Sequence, residues 1–320
     1  MVLVLVDHEN GEIDEASLQT VTYGRELAAA AGEPLEALVV GDAGVAGALG
    51  SHGVGTVHVA VHDALTGYAP AAAARAAMQI ASRNGASVVL AAGSPRGNEV
   101  MAHLGALTDL PVAADCVKVT PGSPTQVVRA RWGGSLIEEA NLHGSPALVT
   151  LVPHTVAAEA GGSGAGEVAE FAPQLSDADL LVVAKPAEAA DESSGVSLAD
   201  AKVVVAGGRG VGSAEGFAPL EELAELLGGT IGCSRVVTGN GWRPHIDQVG
   251  QTGTKIAPDL YIACGISGAT QHIAGCRNSK TMIVINTDPE AAIMGYADYA
   301  IIGDVSNCLL YTSPSPRDRS

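Results

Sequence analysis

The sequence predicts a two-domain α/β protein, on the evidence of three features. The chain has 320 residues, more than one hydrophobic core usually organises. Short, continuous apolar runs alternate with segments of helical spacing, which is typical of buried parallel strands joined by helices. Around residues 185–198 the chain becomes small, acidic and serine-rich, like a linker. We therefore assign residues 1–185 to an N-terminal domain, 186–198 to a linker and 199–306 to a C-terminal domain.

The N-terminal domain is predicted to begin with repeated strand and helix units. Strands are expected at the apolar runs 2–6, 35–40, 56–61, 88–91 and 147–152, and helices at 16–31 and 70–82. The turn 93–99 opens a further helix; it has the amides to hold an anion, but a tight turn is the simpler interpretation. Residues 110–139 are expected to be β structure, residues 180–183 are one more strand candidate, and residues 157–166 have linker composition.

The composition argues against nucleic-acid binding and indicates how the cores are built. Acidic residues number 35 against 17 basic ones, giving a formal charge of −18, which argues against nucleic acid as a partner. So negative a chain is also expected to stay soluble in high salt, which suggests a halophilic origin. Aromatic residues make up only 3%, so the cores must be built from Ala, Val, Leu and Ile.

The cysteines and the hydropathy pattern predict a cytoplasmic protein. The five cysteines are an odd number without a Cys-x-x-Cys pair, which fits neither a disulfide framework nor a zinc or iron–sulfur site. No signal-peptide pattern is present, and no apolar run approaches the ~18 residues of a membrane span. We expect neither a metal site nor direct membrane insertion.

The C-terminal domain is predicted to be a second α/β unit. Strands are expected at 201–206, 230–232, 259–264, 281–285 and 299–302. A helix at 217–227 is expected to turn Leu220, Leu223, Leu226 and Leu227 inward, and another is expected to begin near Thr270. The long segment 238–254 between them lacks a pattern of its own, and such a loop in a compact domain usually binds something.

Polar, glycine-containing runs flank these strands. In an open parallel sheet such runs collect at the strand ends, where these folds bind ligands, so they predict a cofactor site. The candidate residues are Arg209, Ser234, Arg235, Gln248, Val249, Gly250, Gln251, Thr252, Gly253, Gly265, Ile266, Ser267, Gly268, Ala269, Gln271, His272, Asn286, Thr287, Asp288 and Asp304. No nucleophile with its base and no carboxylate pair accompanies them, so we predict no catalytic residue.

In order and spacing, these runs resemble the C-terminal flavin domain of the alpha subunit of electron-transfer flavoprotein. The resemblance is close over roughly the last third of the chain and loose over the first half. It implies an N-terminal α/β nucleotide-hydrolase-like domain that serves as scaffold and partner surface. It also implies a C-terminal doubly wound, parallel-sheet (Rossmann-like) domain that binds FAD.

The resemblance also implies roles for single residues. Arg209 would lie near the cofactor and Arg235 over the flavin ring, where its charge would favour the negatively charged reduced states. Gln251 and Thr252 would lie at the flavin edge, with the threonine hydroxyl near N5. His272 would reach the pyrimidine carbonyl, although a lone histidine is more often a structural hydrogen-bonding group. Asn286 and Asp304 would bind the adenosine end.

The function implied is that of an electron carrier rather than an enzyme with its own substrate. The chain would form a heterodimer with a beta subunit, accept electrons from dehydrogenases such as acyl-CoA dehydrogenases, and pass them to a membrane quinone oxidoreductase or another acceptor. The alternatives are an NAD-dependent oxidoreductase, whose Gly-x-Gly-x-x-Gly fingerprint is not found here, and a nucleotide-binding module with the same fold. The tail 307–320 departs from the family pattern, and we expect it to be disordered or non-native.

Overall fold

The structure is a computed structural model that describes residues 1–9, 11–41, 43–65, 67–132, 134–162, 164, 166–184 and 197–305. The chain divides into two compact units, Met1–Ala190 and Asp191–Ser320, here called the N-terminal and C-terminal units. The predicted tail 307–320 and residues 186–196 of the predicted linker lie outside the described residues.

The N-terminal unit is built on a mixed sheet. Its strands are β1 (Val2–Val6), β2 (His8–Glu9), β3 (Glu12–Ile13), β4 (Leu35–Val40), β5 (Thr56–Ala60), β6 (Val88–Ala92), β7 (Val112–Thr120), β8 (Thr125–Arg131), β9 (Leu136–Leu142), β10 (Ala147–Leu151) and β11 (Glu167–Phe171). Within the described residues the main sheet has the order β11-β5-β4-β1-β6-β10-β7-β8-β9. Neighbouring strands from β11 to β7 are parallel, whereas β7, β8 and β9 pair antiparallel. β2 and β3 form a separate hairpin.

The helices of this unit include two whose ends are set by capping residues. They are α1 (Glu15–Ala31), α2 (Ala46–Leu49), α3 (Pro70–Asn84) and α4 (Pro95–Thr108). Asp14 caps α1 by accepting the amide of Ser17, and Gly32 ends the helix in the left-handed conformation at φ 67°. The turn 93–99 contains the cap of α4, because the Ser94 hydroxyl accepts the Gly97 amide at 3.0 Å.

One strand expected in the N-terminal unit does not form, and one observed strand was not predicted. Residues 180–183 form no strand; a 3₁₀ helix at Asp177–Leu180 precedes them and only Ala184 bridges to Tyr68. The edge strand β11 was not anticipated, because its alternating acidic and apolar residues leave it largely exposed. Residues 157–166, which have linker composition, include Gly161 and Gly162, whose amides both donate to the carbonyl of Ser51.

The C-terminal unit contains a parallel sheet. Its strands are β12 (Val203–Gly207), β13 (Thr230–Cys233), β14 (Leu260–Cys264), β15 (Thr281–Asn286) and β16 (Tyr299–Ile302), and its helices are α5 (Ala218–Leu226), α6 (Arg235–Gly239) and α7 (Thr270–Cys276). Among the described residues these strands form one sheet in the order β13-β12-β14-β15-β16, with every neighbouring pair parallel. The chain moves outward from β12 to β13 and then returns to the other side of β12, so the strand order reverses between β12 and β14.

Both faces of this sheet are buried. Val204 and Tyr261 pack on the face that α7 covers, whereas Val205 and Ile262 pack on the face that α5 covers. Burial on both faces explains why these strands are continuously apolar.

Only one of the four leucines assigned to the inner face of α5 is fully buried. Leu220 is inaccessible, and Leu223 is partly buried against the same core. Leu226 is 77% exposed and Leu227 42%, so their predicted inward orientation is wrong. Nowhere in the described part of the chain does a helix combine the length and the apolar character that crossing a membrane requires.

Candidate functional site

The predicted cofactor residues lie along one edge of the C-terminal sheet. Arg209 follows β12, Ser234 follows β13, Gly265 follows β14, Asn286 ends β15 and Asp304 follows β16. All five strands are parallel, so these positions mark their carboxyl ends. Ligands bind at this edge in open parallel sheets, preferably where the strand order reverses.

Two glycine turns meet at the point of reversal. The amides of Gly208 and Gly210 donate to the carbonyls of Cys264 and Gly265, at 2.8 and 3.0 Å. A methyl group on Gly208 would lie 2.3 Å from the Gly265 oxygen, so no larger residue fits. The amides of Gly208 and Gly210 are thus engaged within the protein, and the glycines of the first turn permit close backbone packing.

The second turn leaves its backbone amides without acceptors. The amides of residues 266–269 donate to no acceptor in the described part of the chain. The turn is fixed by hydrogen bonds to its carbonyls: Asn286 Nδ2 donates to the Ile266 oxygen at 2.8 Å, and the Ile293 amide donates to the Ser267 oxygen at 3.2 Å. Such a run of unused amides attracts an anion or an electronegative ligand atom.

Two polar side chains converge on the hydroxyl of Thr252, and a third holds one of them. Arg235 Nη1 donates to Thr252 Oγ1 at 2.8 Å, and Gln248 Nε2 donates to the same oxygen at 3.0 Å. Thr238 in turn donates to Gln248 Oε1 at 2.8 Å. Since the Thr252 oxygen accepts two hydrogen bonds, its own hydrogen is left to donate. Arg235 and Thr252 are both exposed, whereas Gln248 is buried beneath them.

The loop that carries this network is joined to α7. The Gln251 amide donates to the Gln271 carbonyl at 2.7 Å. Gly250 and Gly275 approach so closely that a methyl group on Gly275 would lie 2.4 Å from the Gly250 Cα atom. The conformation of the loop is therefore coupled to the first turn of the helix that carries His272.

His272 is buried and neutral. Its Nε2 atom is 2.7 Å from the Tyr261 hydroxyl, whereas Nδ1 makes no hydrogen bond among the described residues. Burial lowers the pKa of His272 to about 4, against a smaller opposing effect of the Val249 backbone. At neutral pH the ring therefore has one hydrogen-bonding nitrogen in use and one without a partner.

The remaining candidates differ in exposure. Thr287, Asp288 and Asp304 are exposed, as Arg209 is. The Asn286 side chain is buried and engaged on both atoms, since its Oδ1 also accepts the Asp288 amide at 3.1 Å. Asn286 thus holds two strand ends together. No cluster of three or more potential metal-binding side chains occurs among the residues that the structure describes.

Sequence reasoning missed three residues that shape the site. Thr238 orients Gln248, and Tyr261 contacts His272. Arg243 pairs with Asp247 at 2.8 Å and with Glu221, which fixes the base of the loop. Of the three, only Tyr261 could have been identified from the sequence, because a phenol in a buried strand needs a hydrogen-bond partner.

Comparisons with protein families cover both units. Residues 2–176 match the family described as "Electron transfer flavoprotein domain". Residues 197–277 match "Electron transfer flavoprotein FAD-binding domain". The segments that contain Asn286, Thr287, Asp288 and Asp304 lie beyond the second match.

Similar proteins align over nearly the whole chain. The electron transfer flavoprotein subunit alpha of Mycobacterium leprae is 36% identical over 308 residues, covering 95% of this chain and 94% of the relative. Protein FixB of Clostridium saccharobutylicum is 35% identical, covering 96% and 93%. The electron transfer flavoprotein subunit alpha of Bacillus subtilis is 33% identical, covering 95% and 93%.

Proposed function

The chain belongs to the electron transfer flavoprotein alpha-subunit family, and we propose that its C-terminal unit holds FAD at the carboxyl edge of the sheet. It acts as an electron carrier that binds FAD and transfers electrons between other proteins. The observation that supports this placement most directly is the network in which Arg235 and Gln248 converge on Thr252. We assign this unit to the doubly wound, Rossmann-like class and the N-terminal unit to the nucleotide-hydrolase-like class.

The donors at this edge fit an oxidised or reduced flavin. Bound FAD supplies one- and two-electron chemistry at its ring. The exposed guanidinium of Arg235 provides a fixed positive charge, which stabilises negative charge at a nearby acceptor more than it stabilises a neutral one. The hydroxyl hydrogen of Thr252 is not donated to any described side chain. It is therefore available to a flavin ring nitrogen, which accepts a hydrogen bond through its lone pair.

The other groups suit the remaining parts of the cofactor. The free amides of residues 266–269 suit the pyrophosphate, because they add donors without adding a titratable group. We assign the exposed Asp304 to the adenosine end, where a carboxylate matches ribose hydroxyls. Asn286 supports this end indirectly, by holding the Ile266 carbonyl.

The role of Arg235 is tested by the reduction potential of bound FAD. In Arg235→Ala, reduced FAD should lose about tenfold in affinity relative to oxidised FAD, because one charge-assisted hydrogen bond contributes roughly 1.5–3 kcal/mol. Arg83→Ala is the matched control: it also removes an exposed arginine, but one on α3 of the N-terminal unit, outside the proposed cofactor site. A potential that is equal in wild type and Arg235→Ala contradicts the assignment.

The partners follow from family membership and from exposed apolar residues. The family implies a beta subunit, and in the N-terminal unit the β8–β9 hairpin exposes Trp132, Leu136 and Ile137. Such a patch is a candidate surface for that subunit. We further propose dehydrogenases as donors, a quinone oxidoreductase as acceptor, a cytoplasmic location and, from the charge of −18, a high-salt environment.

A further inference from the structure

Tyr261 and His272 form a buried pair beside the proposed flavin site. Tyr261 is the second residue of β14 and is fully buried on the sheet face that α7 covers. Its hydroxyl lies 2.7 Å from His272 Nε2, and the ring centroids are 6.2 Å apart. His272 is 6% exposed, and its Nδ1 atom has no hydrogen-bond partner within the described chain.

The chemistry of the pair indicates which group donates. Burial raises the pKa of the Tyr261 phenol well above its ordinary value and lowers that of His272 to about 4, so both are neutral at pH 7. A neutral imidazole has one N–H and one acceptor nitrogen. If Nε2 carried the hydrogen, the phenol would have to donate elsewhere, and the thiol of the nearby Cys276 is only a weak acceptor.

The geometry of the contact therefore favours one arrangement. The phenol O–H donates to His272 Nε2 at 2.7 Å, and the hydrogen of the neutral ring lies on Nδ1.

We propose that Tyr261 is a positioning residue that holds His272 in the Nδ1–H form, so that His272 presents a hydrogen-bond donor to the FAD ring. This inference rests on the proposed function and on the flavin contact that the family resemblance implies for His272. A neutral donor stabilises negative charge that develops on the ring, without binding or releasing a proton itself. Without the phenol, the ring would be free to exchange its hydrogen between the two nitrogens and to rotate.

The first test is the tautomer of His272 in the full chain, read from the ¹⁵N chemical shifts of histidine-labelled protein. The signal is assigned by its loss in His272→Gln. We expect a protonated Nδ1 and an unprotonated Nε2 in the wild type without FAD, and a mixture or the reverse in Tyr261→Phe. A wild type with its hydrogen on Nε2 overturns the proposal without any variant having to fold.

The second test is the reduction potential of bound FAD in Tyr261→Phe. We expect reduced FAD to lose about fivefold in affinity relative to oxidised FAD, the worth of roughly one net hydrogen bond. Tyr23→Phe is the control, because it also removes a phenol hydroxyl with a partner inside the protein: the Tyr23 hydroxyl accepts the Val119 amide at 2.7 Å and donates to the Val119 carbonyl at 3.5 Å in the N-terminal unit. Its potential should equal that of the wild type.

The two readouts separate the inference from the function on which it rests. A changed tautomer with an unchanged potential overturns the role of His272 at the flavin, while FAD binding and the Arg235 effect can still hold. An unchanged tautomer and an unchanged potential in Tyr261→Phe show that the phenol only fills space, which overturns the inference itself.

Discussion

His272 is a buried residue of the C-terminal unit for which we propose a contact with the flavin. Sequence reasoning weighed a structural histidine against a flavin ligand, and the structure gives its two nitrogens different surroundings. Nε2 is held by Tyr261 inside the core, whereas Nδ1 is buried without a partner. Which nitrogen is engaged could not be read from the sequence, because it depends on the packing of α7 against β14.

The pKa of His272 predicts a pH dependence of stability. The folded state holds the ring neutral down to about pH 4, whereas the unfolded state binds a proton below about 6.5. The contribution of the neutral His272 ring to the free energy of unfolding is therefore complete above pH 6.5. About 3 kcal/mol of that free energy is lost as the pH falls toward 4. The pKa values of the facing groups, Tyr261 and Cys276, are both raised, so neither titrates in this window.

The measurement is the free energy of unfolding of wild type and His272→Gln between pH 7 and 4. The wild type should lose about 3 kcal/mol more than the variant over this range. Other groups with shifted pKa values, such as Asp7 and Asp179, are common to both proteins and cancel in the difference. Parallel curves would show that His272 is accessible to protons in the folded state.

At the scale of elements, the continuously apolar strands were predicted within a few residues, because glycine or polar residues bound each apolar run. An apolar run alone does not make a strand, because it also needs a free sheet edge to pair with. The strand predicted at 180–183 was wrong for this reason. β11 occupies an edge of the sheet despite its acidic residues. The inward assignment of Leu226 failed because helical periodicity alone does not show which face the neighbouring sheet covers.

The turn between β14 and α7 can be tested through Gly268. This residue has φ 81°, and a methyl group would lie 2.3 Å from the Ile293 nitrogen. Gly268→Ala should therefore lower the free energy of unfolding by about 2–4 kcal/mol and weaken FAD binding at least roughly tenfold, because the free amides of this turn would shift. Unfolding and FAD titration are the two measurements.

Gly228→Ala is the matched control for that substitution. Gly228 also has a positive φ, 63°, but it follows α5 and has open space where the methyl group would lie. Only backbone strain should result, at about 1 kcal/mol, with FAD affinity retained. Equal effects of the two substitutions on FAD affinity would mean that the second glycine turn has no special place in the site.

At the scale of the whole molecule, the charge of −18 predicts how stability responds to salt. Repulsion among 35 acidic side chains opposes the compact state, and salt screens it. The thermal unfolding midpoint should rise as KCl increases from low to molar concentrations. A neutral osmolyte is the control for non-ionic effects, and a midpoint independent of KCl would rule out the high-salt environment.

The sequence predicted where the polar runs of the candidate site lie better than it predicted the contacts among them. Spacing located the polar runs at strand ends, and the parallel sheet aligns those ends on one edge. The hydrogen bonds within the site were not predictable, because Thr238 and Thr252 meet Gln248 only after the loop folds back. The packing of the first glycine turn against the second was not predictable for the same reason, since the two turns are more than fifty residues apart.

Whether this chain holds a flavin for electron transfer is tested most directly by its visible absorption spectrum. The full-length chain is purified in high salt, incubated with FAD and its beta subunit, and freed of unbound cofactor by gel filtration. We expect oxidised-flavin bands that remain with the protein, bleach on reduction and return when an electron acceptor is added. A colourless protein that neither retains nor rebinds FAD, even with the beta subunit present, would contradict this expectation.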